Sequence, residues 1–152
     1  SVFILIILFF TFFKLADQPI KDNEPIIPIK IISVKDQICL RQNIHYEAEG
    51  EPFVGKLAVG LVTLNRTKVN NKTICGTVYD PGQFSWTVKK ENNATVFTAD
   101  TILAAKLIIE NSIKIEYLEG IVYFHTTKVN PTWAGTKKKI IVIGNHVFYS
   151  EK

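Results

Sequence analysis

Residues Ile44 to Gly55, IHYEAEGEPFVG, join two segments whose apolar residues recur with helical spacing. Gly50 can adopt the left-handed backbone conformation that commonly ends a helix. Pro52 has no amide hydrogen to donate, and its fixed φ suits the first position of a helix. The stretch therefore predicts a helix that ends near Gly50, a short turn, and a second helix that begins at Pro52.

Three acidic residues, Glu47, Glu49 and Glu51, lie within this junction. Glu47 falls in the last turn of the first predicted helix, near the negative end of the helix dipole, so its pKa should be raised. A raised pKa is what a general acid requires. Glu51 is placed to interact with the N-terminus of the second helix. The alternative for these acids is a solvated helix end without a catalytic role.

The second helix carries the clearest amphipathic pattern in the chain. Its apolar residues fall at i, i+3, i+4, i+7 and i+8 from Val54, which predicts a core-facing helix. We expect it to end at Asn65-Arg66 and to be followed by a surface loop over the polar run Thr67 to Thr73. Ala99 to Ile113 predicts a third helix, which is apolar around much of its circumference and should therefore be buried.

The C-terminal part of the chain predicts strands. Ile121 to Phe124 and Ile140 to Ile143 are short apolar runs rich in β-branched and aromatic residues. His146 to Tyr149 is a third strand or, beyond Gly144-Asn145, an extension of the second.

The N-terminus begins with an apolar run from Val2 to Phe13. A helix needs about 20 apolar residues to cross a bilayer, so this run is closer to the core of a signal peptide. Prolines recur in the segment that follows and favour an extended tether. We expect residues 1–16 to form a signal peptide or short membrane anchor, residues 17–34 a linker, and residues 35–152 the folded domain.

Composition limits the classes of function. A chain of 152 residues with 47% hydrophobic residues can bury one core of ordinary size. The net charge of +4 is small for a nucleic-acid-binding protein, and only Lys137 to Lys139 form a basic cluster. We therefore expect no nucleic-acid partner.

The histidines and acids raise the question of a metal site. His45-Tyr46-Glu47 matches the H-x-E half of the zinc deaminase signature, but the P-C-x-x-C half is absent from the sequence. The sequence also lacks H-E-x-x-H. We expect neither a metal nor another cofactor.

The junction, in its order of residues, resembles the signature of the SleB/CwlJ-type cell wall hydrolases. That signature runs Glu-Ala-Arg-Gly-Glu-Pro, then Gly, an apolar helix and Asn-Arg. Glu49 stands where the family has Arg, which leaves the role of that Arg open here. Further family elements recur in order as Gln83-Phe84-Ser85-Trp86, Tyr123-Phe124-His125, Pro131-Thr132-Trp133 and Ile143-Gly144-Asn145-His146-Val147-Phe148-Tyr149.

The resemblance implies a mixed α+β fold, with a lysozyme-like helical body and a small antiparallel sheet. It also implies cleavage of the peptidoglycan glycan backbone by lytic transglycosylase action, with Glu47 as the one catalytic acid. The substrate-binding candidates are Gln83, Phe84, Tyr123, His125 and Trp133, although each of them can equally serve core packing. The alternatives are an amidase that cuts the stem peptide and a non-catalytic wall-binding module.

The two cysteines, Cys39 and Cys75, should be disulfide-bonded if the protein is exported, because an even pair in an oxidising compartment is usually bonded. The alternative is two buried thiols. We expect a monomer located in the periplasm or cell envelope. Its partners would be peptidoglycan and, through the N-terminal apolar segment, the inner membrane, or it would be part of a phage.

Overall fold

A computed structural model describes residues 32–88 and 95–152. The signal or anchor expected at residues 1–16, and nearly all of the linker expected at residues 17–34, lie outside the described residues. Within the described ranges, none of the helices is both long enough and apolar enough to span a bilayer.

Within residues 32–88 and 95–152, four α-helices precede the sheet: α1 (Val34–Ala48), α2 (Phe53–Val69), α3 (Ile74–Val78) and α4 (Ala99–Ile109). The same two ranges contain three short 3-10 helices, at Ser85–Val88, Glu116–Leu118 and Thr132–Thr136. Hydroxyl side chains cap the N-termini of three α-helices, as their local sequences favour. These caps are Ser33 for α1, Thr73 for α3 and Thr98 for α4.

The turn between α1 and α2 differs from the sequence prediction. Gly50 is not among the glycines with positive φ, and the helix instead ends through Glu49 in a right-handed conformation, with φ −56° and ψ −46°. The Lys56 ammonium, which is buried, donates to the carbonyl oxygens of Glu49 and Glu51 at 2.8 and 2.6 Å. These carbonyl groups thus accept hydrogen bonds from a buried lysine, instead of from the backbone amides that a left-handed glycine cap would present. Pro52 is the N-cap of α2, so the helix begins at Phe53, one residue after the predicted start.

Two further helix boundaries were predicted wrongly. Helix α2 continues past Asn65-Arg66 to Val69, because Thr67 is buried and its hydroxyl bonds the carbonyl of Thr63 and the hydroxyl of Thr77. Helix α4 ends at Ile109 instead of Ile113, and Asn111 with φ 50° begins the change of direction.

Helix α4 is also less buried than its composition suggested. The side chains of Ile102 and Leu103 are 41% and 46% exposed. Its buried face is formed by Thr101, Ala104, Ala105 and Ile108. Small residues on this face allow close packing against α2, where a Cβ added to Gly60 would collide with Ile108.

The sheet has three antiparallel strands in the order β1–β3–β2. Their bounds are β1 (Ile121–Thr126), β2 (Lys138–Ile143) and β3 (His146–Ser150), so the last segment is a separate strand and lies in the centre. The turn between β2 and β3 contains Gly144, whose φ is 55°. A Cβ at this glycine would also overlap the Glu51 carboxylate, so this turn favours glycine for two reasons.

The two larger of the three buried clusters among the described residues hold the helices and the sheet together. One joins α1, α2, α3 and α4 around Leu40, Ile44 and Leu57, and the other joins α2 to the sheet around Val59, Val62 and Phe148. Helix α2 therefore packs against helices on one side and against the sheet on the other. The architecture is the predicted α+β fold, a helical body with a small antiparallel sheet.

A disulfide joins Cys39 of α1 to Cys75 of α3, with a Cα–Cα distance of 5.3 Å. The backbone amide of Cys75 also donates to the Asp36 carboxylate at 2.8 Å. Both links attach α3 to the helix that carries Glu47.

Candidate active site

Glu47 lies in the last turn of α1, as the sequence predicts, and its side chain is half-buried. Burial raises the pKa of its carboxyl, and the charge of Arg66 partly offsets this by lowering it. The pKa is shifted in the predicted direction. Its main cause is desolvation by burial, whereas the sequence argument attributed the shift to the helix dipole. In the described parts of the chain, no hydrogen bond reaches the Glu47 carboxyl.

Arg66 of α2 connects Glu47 with the sheet. Its Nε donates to the carbonyl of Val122 at 2.7 Å. Its guanidinium carbon lies 5.2 Å from the centre of the Phe84 ring and 6.0 Å from that of Tyr123. Sequence reasoning used Arg66 only as part of the family resemblance and missed it as a site residue.

A cleft with a volume of about 610 Å³ opens next to Arg66. Its walls are formed by residues from α2, the loop before the 3-10 helix at Ser85–Val88, and the sheet region: Arg66, Val69, Asn70, Gly82, Gln83, Val122, Tyr123, Phe124, Trp133 and Glu151. Three of the predicted substrate-binding residues, Gln83, Tyr123 and Trp133, belong to this lining. Glu47 is not part of it, and Arg66 is the residue that both lines the cleft and acts electrostatically on Glu47.

Tyr123 and Trp133 form an aromatic wall of the cleft, with ring centres 5.6 Å apart. The hydroxyl of Tyr123 donates to Glu151, and the Lys137 ammonium lies 4.4 Å from the centre of the Tyr123 ring. Lys137 also pairs with Glu151 at 2.6 Å. These contacts hold the Tyr123 ring in place at the cleft edge.

The other two predicted binding residues lie elsewhere. Phe84 is 3% exposed and packs beneath Arg66, so its ring faces are used inside the protein. His125 uses both ring nitrogens, since Nδ1 lies 2.8 Å from the carbonyl oxygen of Thr126 and Nε2 lies 2.8 Å from the hydroxyl of Tyr149. A carbonyl only accepts, so Nδ1 carries the proton and Nε2 accepts from Tyr149.

The remaining acids of the junction differ sharply in environment. The side chain of Glu49 is 61% exposed, whereas that of Glu51 is 7% exposed. Glu51 accepts from the backbone amide of Asn145 at 2.9 Å and from its side-chain amide at 3.0 Å. The expectation that Glu51 serves the N-terminus of α2 was wrong, because its carboxylate instead holds the turn between β2 and β3.

A second aromatic group lies beside Glu47. Tyr46 stacks on Trp86 with ring centres 4.6 Å apart, and Tyr79 meets Trp86 edge-on at 5.7 Å. The indole of Trp86 donates to the side-chain oxygen of Asn43 at 2.9 Å. Trp86 belongs to the family element that begins at Gln83. This element was the only signal in the sequence for the aromatic group.

Among residues 32–88 and 95–152, no three His, Cys, Asp or Glu side chains group closely enough to hold a metal ion. His45, which stood in the partial zinc pattern, packs edge-on against Tyr46 and Phe97.

Solved structures with the same fold are catalytic domains of SleB proteins. The Bacillus cereus SleB catalytic domain aligns with a TM-score of 0.65 at 24% identity, over 88% of this chain and 100% of that domain. The catalytic domain of the germination-specific lytic transglycosylase SleB of Bacillus anthracis aligns with a TM-score of 0.66 at 24% identity, over 78% of this chain and 96% of that domain. The predicted fold class is therefore confirmed.

Curated relatives agree with the structural ones. The spore cortex-lytic enzyme of Bacillus cereus is 25% identical over 118 residues, which cover 75% of this chain and 44% of the relative. That of Bacillus subtilis is 26% identical over 118 residues, covering 76% and 38%. The matched region thus spans less than half of the length of these relatives.

The protein-family model described as Cell Wall Hydrolase matches residues 50–149. This range covers α2 to β3 and starts three residues after Glu47. The resemblance noted in the sequence is confirmed: the chain belongs to the Cell Wall Hydrolase family.

Proposed function

We propose that this protein cleaves the glycan backbone of peptidoglycan between N-acetylmuramic acid and N-acetylglucosamine, as a lytic transglycosylase with Glu47 as general acid and base. The observation that carries the proposal is the environment of Glu47. It is a half-buried acid with a raised pKa, next to a guanidinium that lines an aromatic cleft. Family membership and the likeness to the lytic transglycosylase of Bacillus anthracis support the same reaction.

The chemistry needs only one protein carboxyl. Glu47, in its protonated form, donates its proton to the glycosidic oxygen, and the bond from that oxygen to C1 of the muramic acid breaks. The C6 hydroxyl of the same sugar attacks C1, and the Glu47 carboxylate accepts the hydroxyl proton. The products are a 1,6-anhydro end and a free hydroxyl on the leaving sugar, and Glu47 is protonated again.

The state of the neighbouring acids supports a mechanism with one carboxyl. A glycosidase with two carboxylates needs a second one that is free to act. Glu51 is engaged with Asn145, and Glu151 of the cleft is engaged with Lys137 and Tyr123. Glu49 is 61% exposed, so we assign proton transfer to the half-buried Glu47.

Substrate binding is assigned to the open cleft. Tyr123 and Trp133 would stack on sugar faces, and Gln83 would hydrogen-bond polar groups of the sugar. Phe84 and His125 would act indirectly, Phe84 by supporting Arg66 and His125 by fixing Tyr149.

We further propose an exported, monomeric cell-envelope protein without a nucleic-acid partner or a cofactor. Residues 1–16 would direct export or anchor the protein in the inner membrane, residues 17–34 would act as a linker, and residues 35–152 would form the catalytic domain. Such a domain is equally suited to a bacterial envelope and to a phage particle.

The test is mass analysis of peptidoglycan digested by the wild type and by Glu47→Gln. The wild type should release fragments with anhydro-muramic ends, and Glu47→Gln should lower their rate by at least ~10²-fold while remaining folded, since a positioned general acid contributes about that much. Glu49→Gln, at an exposed position two residues away, is the matched control and should lose far less.

Four results would contradict the proposal. Fragments with reducing ends would indicate hydrolysis in place of transglycosylation. Free stem peptides would favour the amidase alternative, and bound but uncut peptidoglycan would favour a wall-binding module. Near-normal turnover by Glu47→Gln would remove Glu47 from its assigned role.

A further inference from the structure

Arg66 is held more rigidly than an arginine at a cleft surface usually is. Its Nε is bonded to the Val122 carbonyl at 2.7 Å, and the faces of Phe84 and Tyr123 lie on the guanidinium. Asn65, its neighbour on α2, adds a 2.8 Å bond from its side-chain amide to the carbonyl of Ile121. The plane of the guanidinium is therefore fixed relative to β1, which reduces the entropy lost when a ligand binds it.

The outer half of the guanidinium is available to a ligand. In the described ranges, the Nε group accounts for the hydrogen bonding of Arg66, and neither Nη group donates to another residue. Arg66 nevertheless lines the cleft. A fixed pair of Nη donors at the cleft wall is suited to an oxygen acceptor of the substrate.

The other polar residues of the cleft indicate which acceptor this is. Asn70 and Gln83 contribute amides, and Glu151 contributes a carboxylate that already receives hydrogen bonds from Lys137 and Tyr123. A substrate carboxylate would bring a further negative charge close to Glu151. A neutral amide would not, and it offers a carbonyl acceptor for Arg66 together with an N–H for side-chain acceptors.

We propose that Arg66 binds the carbonyl oxygen of the acetamido group of an N-acetylated amino sugar in this cleft. The proposal rests on the proposed function, because it assumes that peptidoglycan glycan occupies the cleft. The aromatic wall of Tyr123 and Trp133 would then contact the sugar ring and the acetyl methyl group. Arg66 is thus a specificity residue that distinguishes N-acetylated from de-N-acetylated glycan.

The test measures binding separately from cleavage. All variants carry Glu47→Gln, so that the polymer stays intact, and each is titrated against insoluble peptidoglycan and against the same material after chemical removal of the N-acetyl groups. Titrations are run at about pH 9, where most of the freed sugar amines are uncharged and an arginine remains charged. Arg66→Gln is compared with Lys68→Gln, which removes the same charge at an exposed position on the same helix.

Arg66→Gln should weaken binding to the N-acetylated polymer by about tenfold or more, the range expected for a hydrogen bond to a charged donor. On the de-N-acetylated polymer, Arg66→Gln and its parent should bind equally, and Lys68→Gln should match the parent on both polymers. Arg66→Lys serves as a second variant if Arg66→Gln does not fold. It keeps the charge but loses the fork geometry, so it should show a smaller loss that also depends on acetylation.

Several results would overturn the proposal. An equal loss on both polymers would make Arg66 structural, and no loss would exclude it from binding. A loss that disappears when stem peptides are removed would point to a peptide carboxylate. The two proposals can also fail separately. If binding through Arg66 depends on acetylation but the wild type releases no glycan products, only the proposed reaction is contradicted. If the wild type releases anhydro products but binding does not depend on acetylation, only the role of Arg66 is contradicted.

Discussion

Reduction of the Cys39–Cys75 disulfide should lower the free energy of unfolding by about 4 kcal/mol. The two cysteines are separated by 36 residues. The chain-entropy relation for a loop of that size gives about 3.8 kcal/mol at 25 °C, because the bond restricts the unfolded chain. Reduction removes no heavy atom from the folded state, so the buried Cys39 leaves no cavity. The bond from the Cys75 amide to Asp36 would still hold α3 to α1 in the folded state.

The assay is urea unfolding of the wild-type protein followed by circular dichroism, with and without reductant. For a domain of about 120 residues, the same change corresponds to a drop in melting temperature on the order of 10 °C or more. The variant Cys39→Ala/Cys75→Ala is the control, since its unfolding should not respond to reductant. Activity well below the melting temperature should persist, because α1 remains packed in the helical core.

A difference below about 1 kcal/mol between the oxidised and the reduced protein would refute this reasoning. So would the alkylation of both thiols in the native, exported protein. Either result would leave the positioning of α1 to packing and to the Asp36 hydrogen bond alone.

Four further outcomes are expected. Cleavage should decline as pH rises through the raised pKa of Glu47, because the general acid loses its proton, and a rate that is constant across this range would contradict the assignment. Folded Glu47 has a higher pKa than unfolded Glu, so its favourable contribution is complete below the unfolded pKa and is lost as pH rises through the folded one. Glu47→Gln should therefore be more stable than the wild type at neutral pH but not below about pH 4, as measured by urea unfolding. Glu51→Gln should cost about 1–3 kcal/mol of stability, because it weakens the bonds to Asn145, while cleavage falls much less than in Glu47→Gln; a dead Glu51→Gln enzyme would transfer the catalytic role to Glu51. Removal of residues 1–17 should leave a folded, active domain by circular dichroism and cleavage assay, and an unfolded product would show that this segment belongs to the core.

Local patterns were sufficient to predict the three longer helices and the position of Glu47, but not the short helix α3. The 3.6-residue spacing from Val54 to Val62 requires that one face of α2 be buried, and any fold that satisfies it must make this segment a helix. The short apolar runs that became β1, β2 and β3 are rich in β-branched and aromatic residues, which favour strands. Placing Glu47 in a final helical turn needed only the change of pattern around Gly50 and Pro52.

The properties of the site depended on contacts between residues distant in sequence, which periodicity does not contain. Arg66 reaches Val122 across 56 positions, and Glu51 reaches Asn145 across 94. No local rule assigns such partners, since a side chain is equally able to serve its own helix until the sheet is placed beside it. The desolvation that raises the pKa of Glu47 likewise arises from the packed surroundings of its helix.

The helix end at Gly50 illustrates the same limit. A glycine after an apolar run favours a left-handed cap, and that preference is worth about 1 kcal/mol. Lys56 overrode it, because a buried ammonium must find acceptors and the free carbonyls of Glu49 and Glu51 were within reach. The sequence alone therefore determined the three longer helices, the apolar runs of the strands and where Glu47 lies. Helix α3, the cleft, the partner of each charged group and the form of the turn were decided by tertiary packing, which chooses the contacts that local preference leaves open.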